Sequence, residues 1–283
     1  MLQITATLAT ILAQPAPKAG IADGTLRING MPIKLTHAFA HLHENVEGQL
    51  MGKRELRILL TDREAPAGSL RGLAFTPIWQ MAMRGKVQGV LLKLDPATPN
   101  TVNAVVLLKP TQPGRSLMSS AISVSGGMLF KDWQFGGDRV SGSIDWGKDR
   151  SSDNEDIPNV AYTARFDALV TQEPAVTQDL KGAAAAASAP VKALLLAADA
   201  MARADFPALK KFSSARAGMR VDEMLATSSA KAKATAKQSG AEMKTLLTKV
   251  KRVIIRGDYA TVLMADGFAA AAVREGGTWK SDD

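Results

Sequence analysis

Gly182-Ala-Ala-Ala-Ala-Ala-Ser-Ala-Pro190 divides this chain of 283 residues into two unlike parts. Before it the sequence alternates and turns like a set of strands. After it apolar residues recur at helical spacing, and the chain then closes in short alternating runs. A small, low-complexity bridge between two different periodicities predicts two domains joined by a linker. The boundaries read as a signal-like segment and tether over 1–22, a β domain over 23–172, an Ala-rich linker over 173–190 and an α+β domain over 191–283.

In the first part, Asn29-Gly30 sits between two alternating runs, and Asn-Gly supplies the positive φ angles of a hairpin turn. Ile33, Leu35, His37 and Phe39 fall on one face of the second arm. Leu56, Ile58 and Leu60 align on the next run. Val87–Leu94, Val102–Leu108, Met128–Phe135, Arg139–Trp146 and Val160–Val170 follow, about eight strands in all. One short helix interrupts them near Thr76–Arg84, stopped by Gly85. Short connections between alternating strands predict a mainly antiparallel sandwich or open barrel.

In the second part, Val191, Leu194, Leu195, Ala198 and Met201 mark a helix. Asp205 caps the next one, with Pro207 in its first turn. Further helical spacing covers Val221–Ala226 and Ala241–Leu247, and Ser228–Ser239 reads as an exposed helix or a mobile loop. Lys251–Arg256, Tyr259–Met264, Phe268–Val273 and Thr278–Lys280 are four strands. Gly257-Asp258, Asp266-Gly267 and Gly276-Gly277 part them as tight turns, so the end is an antiparallel meander covered by helices. Val253, Ile255, Val262 and Met264 should face those helices, with Trp279 near the closing edge. Arg256-Gly257-Asp258 spells a cell-adhesion tripeptide but reads as the turn between two strands.

Ala202-Arg-Ala-Asp-Phe-Pro-Ala-Leu209, Ile254-Ile-Arg-Gly-Asp-Tyr-Ala-Thr-Val262 and Arg274-Glu-Gly-Gly-Thr-Trp-Lys280 resemble the nuclear-transport-factor-two-like (ketosteroid-isomerase-like) cone fold. The resemblance spans roughly 190–281 and implies helices packed on a curved sheet. It carries over no catalytic residue, because the expected cone interior is aliphatic and no histidine follows His43. Modules of this fold also occur in exported bacterial proteins, and the interior of such a cone suits a small apolar ligand.

The chain holds three histidines and no cysteine. Disulfides, thiolate metal sites and thiol nucleophiles are excluded. His37, His41 and His43 occupy alternate positions of one strand and should share a face. His-x-His on a strand is a spacing that holds divalent metals. His41-Leu-His43-Glu-Asn-Val-Glu47 resembles part of the first cupin motif, which implies a metal-dependent β-barrel enzyme. The motif's leading glycine is absent, position 35 being Leu, and so is the family's downstream histidine. The histidines therefore read first as polar residues of a strand rim, with no catalytic, cofactor-binding or metal-binding residue assigned. The acidic stretch Asp149–Asp156 lacks the register of a calcium loop and reads as a hairpin connection.

The net charge of +8 is uneven: residues 1–175 carry 18 basic and 16 acidic side chains, and 176–283 carry 17 and 11. Such an excess attracts anionic surfaces or simply solvates a helical face. Nucleic acid is not expected, since no aromatic residue lies between Phe212 and Tyr259 to stack bases. No phosphate-binding loop, dinucleotide motif or Gly-x-Ser-x-Gly elbow is present. Met1–Ala13 is apolar and uncharged, too short to span a bilayer, and resembles the apolar part of a secretory signal without its basic start. The sequence thus reads as a non-enzymatic binding or scaffold protein of a bacterial periplasm or medium, with no cofactor. A metal-dependent enzyme and a binder of anionic surfaces through the basic C-terminal helices are the alternatives.

Overall fold

The computed structural model describes residues 20–45, 53–66, 68–71, 76–99, 101–109, 121–127, 130–146, 159–226 and 229–282. The signal-like start, Glu47 and the Asp149–Asp156 stretch lie outside the described residues.

Among the described residues, nine strands form the first sheet: β1 (Gly20–Ile28), β2 (Met31–Glu44), β3 (Arg54–Thr61), β4 (Gly89–Leu94), β5 (Thr101–Leu107), β6 (Ala121–Gly127), β7 (Phe130–Gly136), β8 (Arg139–Trp146) and β9 (Val160–Gln172). Their order is β6-β5-β4-β3-β2-β1-β9-β8-β7, curled into a half-barrel. Asn29 and Gly30 turn β1 into β2 with φ of 50° and 81°, as Asn-Gly predicts. One face of the sheet carries an apolar core that includes Leu26, Leu35, Ile58, Leu92 and Phe166. The opposite face is covered by the short helix α1 (Thr76–Met83), whose Ile78 and Ala82 pack on Leu59, Leu91 and Val105.

The alternation along β2 is not continuous. Ile33 and Leu35 face the main core, but so do Ala38, Ala40 and Leu42, while Phe39 packs on the α1 side. The expectation that Ile33, Leu35, His37 and Phe39 share a face is therefore corrected. The partner strand is irregular at the same point: its register shifts between Ile21 and Gly24, where an extra residue opposes β2. Such a bulge kinks and twists the pair locally.

The second sheet has five strands, not the four the sequence suggested. In chain order the elements are β10 (Gln178–Lys181), α2 (Gly182–Ala186), α3 (Ala189–Ala202), α4 (Phe206–Phe212), α5 (Ala215–Ala226), α6 (Ala230–Leu247), β11 (Val250–Arg256), β12 (Tyr259–Met264), β13 (Ala269–Glu275) and β14 (Thr278–Ser281). The strands run β10-β11-β12-β13-β14, all neighbours antiparallel. The extra strand and α2 come from the segment read as linker. Gly182, at φ +56°, turns the strand into a helix, and the alanines after it have the highest helix propensity of any residue.

Val253, Ile255, Val262 and Met264 face the helices as expected, joined by Val191, Leu194, Ala198, Ala270 and Ala272, with Trp279 partly buried beside them. Small residues let the helices sit close. A Cβ on Gly240 of α6 would lie 2.3 Å from the Ala202 nitrogen and 2.8 Å from the Ala198 carbonyl of α3. The Asp205 carboxylate accepts a bond from the Ala208 N–H at 3.1 Å, the cap the sequence predicts. The Ser229 hydroxyl caps α6 in the same way, so 230–247 is one continuous helix. Among the described residues, no helix is long and apolar enough to cross a membrane.

Candidate metal centre

The unequal lengths of β1 and β2 create the site. β1 separates β2 from β9 as far as Gly20. Beyond that point β2 and β9 pair directly and in parallel: Ala40 with Val170, His41 with Thr171, Leu42 with Gln172. Ala40, Leu42 and Val170 turn into the main core and hold the two strands together. Alternation then sends His41 and His43 of β2 to the opposite face, beside Thr171 and the residue that follows β9, Glu173.

There the three side chains meet. His41 Nε2 and His43 Nδ1 each lie 3.0 Å from Glu173 Oε1. All three are cut off from solvent, with side-chain exposures of 1%, 1% and 2%. The other ring nitrogen of His41, Nδ1, is 2.8 Å from the Thr171 hydroxyl, which in turn lies 3.0 Å from the Ala40 carbonyl oxygen.

On the other flank, β3 places Arg57 opposite His41 and Glu55 opposite His43. The buried Arg57 donates from Nε to Glu55 Oε1 at 2.6 Å and from Nη1 to the Leu70 carbonyl at 2.8 Å. Lys93 of β4 faces Arg57 in register. A polar row thus crosses four adjacent strands on the face away from the main core. Burial holds the Lys93 amine below its ordinary pKa, with Glu55 opposing. Burial likewise lowers the His41 pKa, outweighing the bond to Glu173 and its charge, while Arg57 and His43 push the same way as burial. A neutral imidazole is the form that binds a metal.

Glu173 lines a cleft of about 710 Å³ between the two halves of the chain. His41 and Thr171 border a smaller cavity of about 30 Å³, room for a water molecule. Pro66, Gly68, Ser69 and Arg71 line both spaces.

Two of the three histidines come together, and the third does not. His37 bonds through Nδ1 with the Thr36 hydroxyl at 2.8 Å and stacks on Phe39 with ring centroids 6.4 Å apart. His37 stands apart from the cluster of His41, His43 and Glu173, whose candidate ligand atoms all lie within 4.8 Å of one another. Glu173 was not singled out by the sequence. It follows the clean alternation of β9, but the parallel pairing that brings it to β2 has no local signature. No protein-family model, curated protein or solved structure matches this chain.

Proposed function

We propose that this chain is a binding protein for a divalent first-row metal ion, held by His41, His43 and Glu173. The observation that carries the reading is the convergence of two imidazoles and one carboxylate in a solvent-excluded cluster. Tetrahedral ligation at roughly 2.0–2.1 Å sets neighbouring ligand atoms about 3.3–3.4 Å apart. The two observed nitrogen–oxygen separations are 3.0 Å, so an ion enters by spreading them a few tenths of an ångström. A two-imidazole, one-carboxylate set suits zinc and its first-row neighbours rather than calcium or magnesium.

Thr171 supports the same reading as the outer partner of a ligand. Its single hydroxyl proton has two acceptors in reach, His41 Nδ1 and the Ala40 carbonyl. Donating to His41 Nδ1, it leaves the proton on Nε2, aimed at Glu173. Donating to Ala40, it accepts from Nδ1–H and leaves Nε2 bare for a cation. Outer partners of this kind fix the tautomer of metal-binding histidines. Three protein ligands leave a position for water or an exogenous group.

Titration of the EDTA-stripped protein with zinc by calorimetry tests the reading. One saturable site is expected, lost in Glu173→Gln. Binding that is absent, or undiminished in that variant, sinks it. The cone-fold resemblance and an exported location stay proposals beside this one. The first is supported by helices α3 and α6 lying over the meander β11–β14, the second by the apolar Met1–Ala13 run.

A further inference from the structure

We infer that metal binding at this cluster is coupled to the seating of the second sheet, through the segment that joins the two sheets. The coupling rests on the metal reading of His41, His43 and Glu173. Among the described residues, every strand of the first sheet precedes residue 173 and every strand of the second follows residue 177. The segment 173–177 is therefore their covalent bridge. Its first residue is held by the first sheet: the Glu173 carboxylate meets His41 and His43 of β2, with 2% of the side chain exposed. Its next residue is held by the second sheet: the Pro174 carbonyl accepts from Arg256 Nη1 at 3.0 Å, and Arg256 is the buried end of β11. Thr177 then donates twice to the Ile255 carbonyl, from its N–H at 2.7 Å and from its hydroxyl at 3.0 Å.

The two grips fall on adjacent residues, so little slack lies between them. Successive Cα atoms are about 3.8 Å apart. Pro174 fixes its own φ at about −65° and keeps the residue before it, Glu173, extended. A carboxylate seated between the histidines thus aims the Pro174 carbonyl, and a carbonyl held by Arg256 aims the carboxylate. Ala175 and Val176, in the middle of the bridge, are exposed and belong to neither core, so the bridge is seated by its ends. Glu173, Pro174 and Arg256 also line the cleft of about 710 Å³ between the sheets. The cores on its two sides share no residue. Parts joined in this way move relative to one another unless their interface is large and apolar. A metal that needs Glu173 in place favours the seated bridge, and by linkage the seated bridge favours the metal by the same factor. The bound ion thereby acts as a lock on the hinge between the sheets.

Amide hydrogen exchange on the full chain, in EDTA and with one equivalent of zinc, tests the coupling, and calorimetry on the same sample reports whether zinc binds. Zinc should slow exchange of the Thr177 N–H, which is bonded to the second sheet, by about tenfold or more. The Gly267 N–H, in the β12–β13 turn and bonded to the Met264 carbonyl, should exchange at an unchanged rate. Pro174→Gly/Ala175→Gly loosens the bridge and leaves the cluster and both cores intact, and circular dichroism verifies its fold. In that variant zinc should bind about tenfold more weakly and should no longer protect Thr177. Saturable zinc binding with no change at Thr177, or with equal slowing at Gly267, overturns the coupling and leaves the metal reading standing. Full protection of Thr177 in Pro174→Gly/Ala175→Gly does the same. Absence of saturable binding removes the metal reading and the coupling with it.

Discussion

His41 and Glu173, 132 positions apart in sequence, meet at 3.0 Å because β2 outruns β1 and pairs with β9 in parallel. Local sequence spacing supplies two members of the cluster, and tertiary topology supplies the third. The contact also lies at the edge of the cleft between the two sheets.

Thr171→Val keeps the shape of the side chain and removes the hydroxyl that bonds His41 Nδ1. Zinc affinity should fall by about 10–100-fold, the usual effect of losing an outer partner of a metal ligand. Calorimetry on the variant checks this, with circular dichroism to confirm the fold. An unchanged affinity would show that Thr171 does not set the His41 tautomer.

Gly240→Ala should destabilise the protein by about 1–3 kcal/mol, because the added methyl meets the backbone of α3. In an open helix the same change stabilises by roughly 0.5–1 kcal/mol. Urea unfolding therefore reads the crossing of α3 and α6 directly, by sign as well as size.

Asp179 ties the edge strand β10 to β11 through Arg252, Nε at 2.8 Å and Nη2 at 3.0 Å. Its carboxyl is held below the ordinary value of 3.8, first by that bond, with Arg252 and Lys181 adding charge. The unfolded chain then binds the proton more readily than the folded one. The stabilisation is present above pH 3.8 and is lost as pH falls through the lower folded value. Asp179→Asn should cost less than about 1 kcal/mol at neutral pH, since the pair is partly solvated. The gap between variant and wild type should close in acid, measured by unfolding at several pH values.

The two-domain division itself is a proposal, supported by separate cores. One holds residues from Ala22 to Val170, and another runs from Leu180 and Ala185 to Trp279. A fragment beginning at Val176 should unfold cooperatively. A fragment without a cooperative transition by circular dichroism would show that the halves fold as one.

Much of the second sheet was legible because its turns announce themselves. Gly257, Gly267, Gly276 and Gly277 all adopt positive φ between the strands that flank them. The aliphatic alternation at Val253, Ile255, Val262 and Met264 then sets the buried face. β10 was not legible: Gln178-Asp-Leu-Lys181 carries little apolar alternation and is a strand only because β11 offers it an edge. The bulge in β1 and the buried Arg57 are tertiary effects of the same kind. At the centre, His41 and His43 were visible as a pair, while Glu173 looked like one more charged residue leaving a strand.

The most direct measurement is anomalous scattering at the zinc edge from crystals grown with one equivalent of zinc. A single strong peak is expected about 2.0–2.2 Å from His41 Nε2, a His43 ring nitrogen and a Glu173 carboxylate oxygen. A peak elsewhere, or none at this cluster with His41 and His43 still bonded to Glu173, would contradict it.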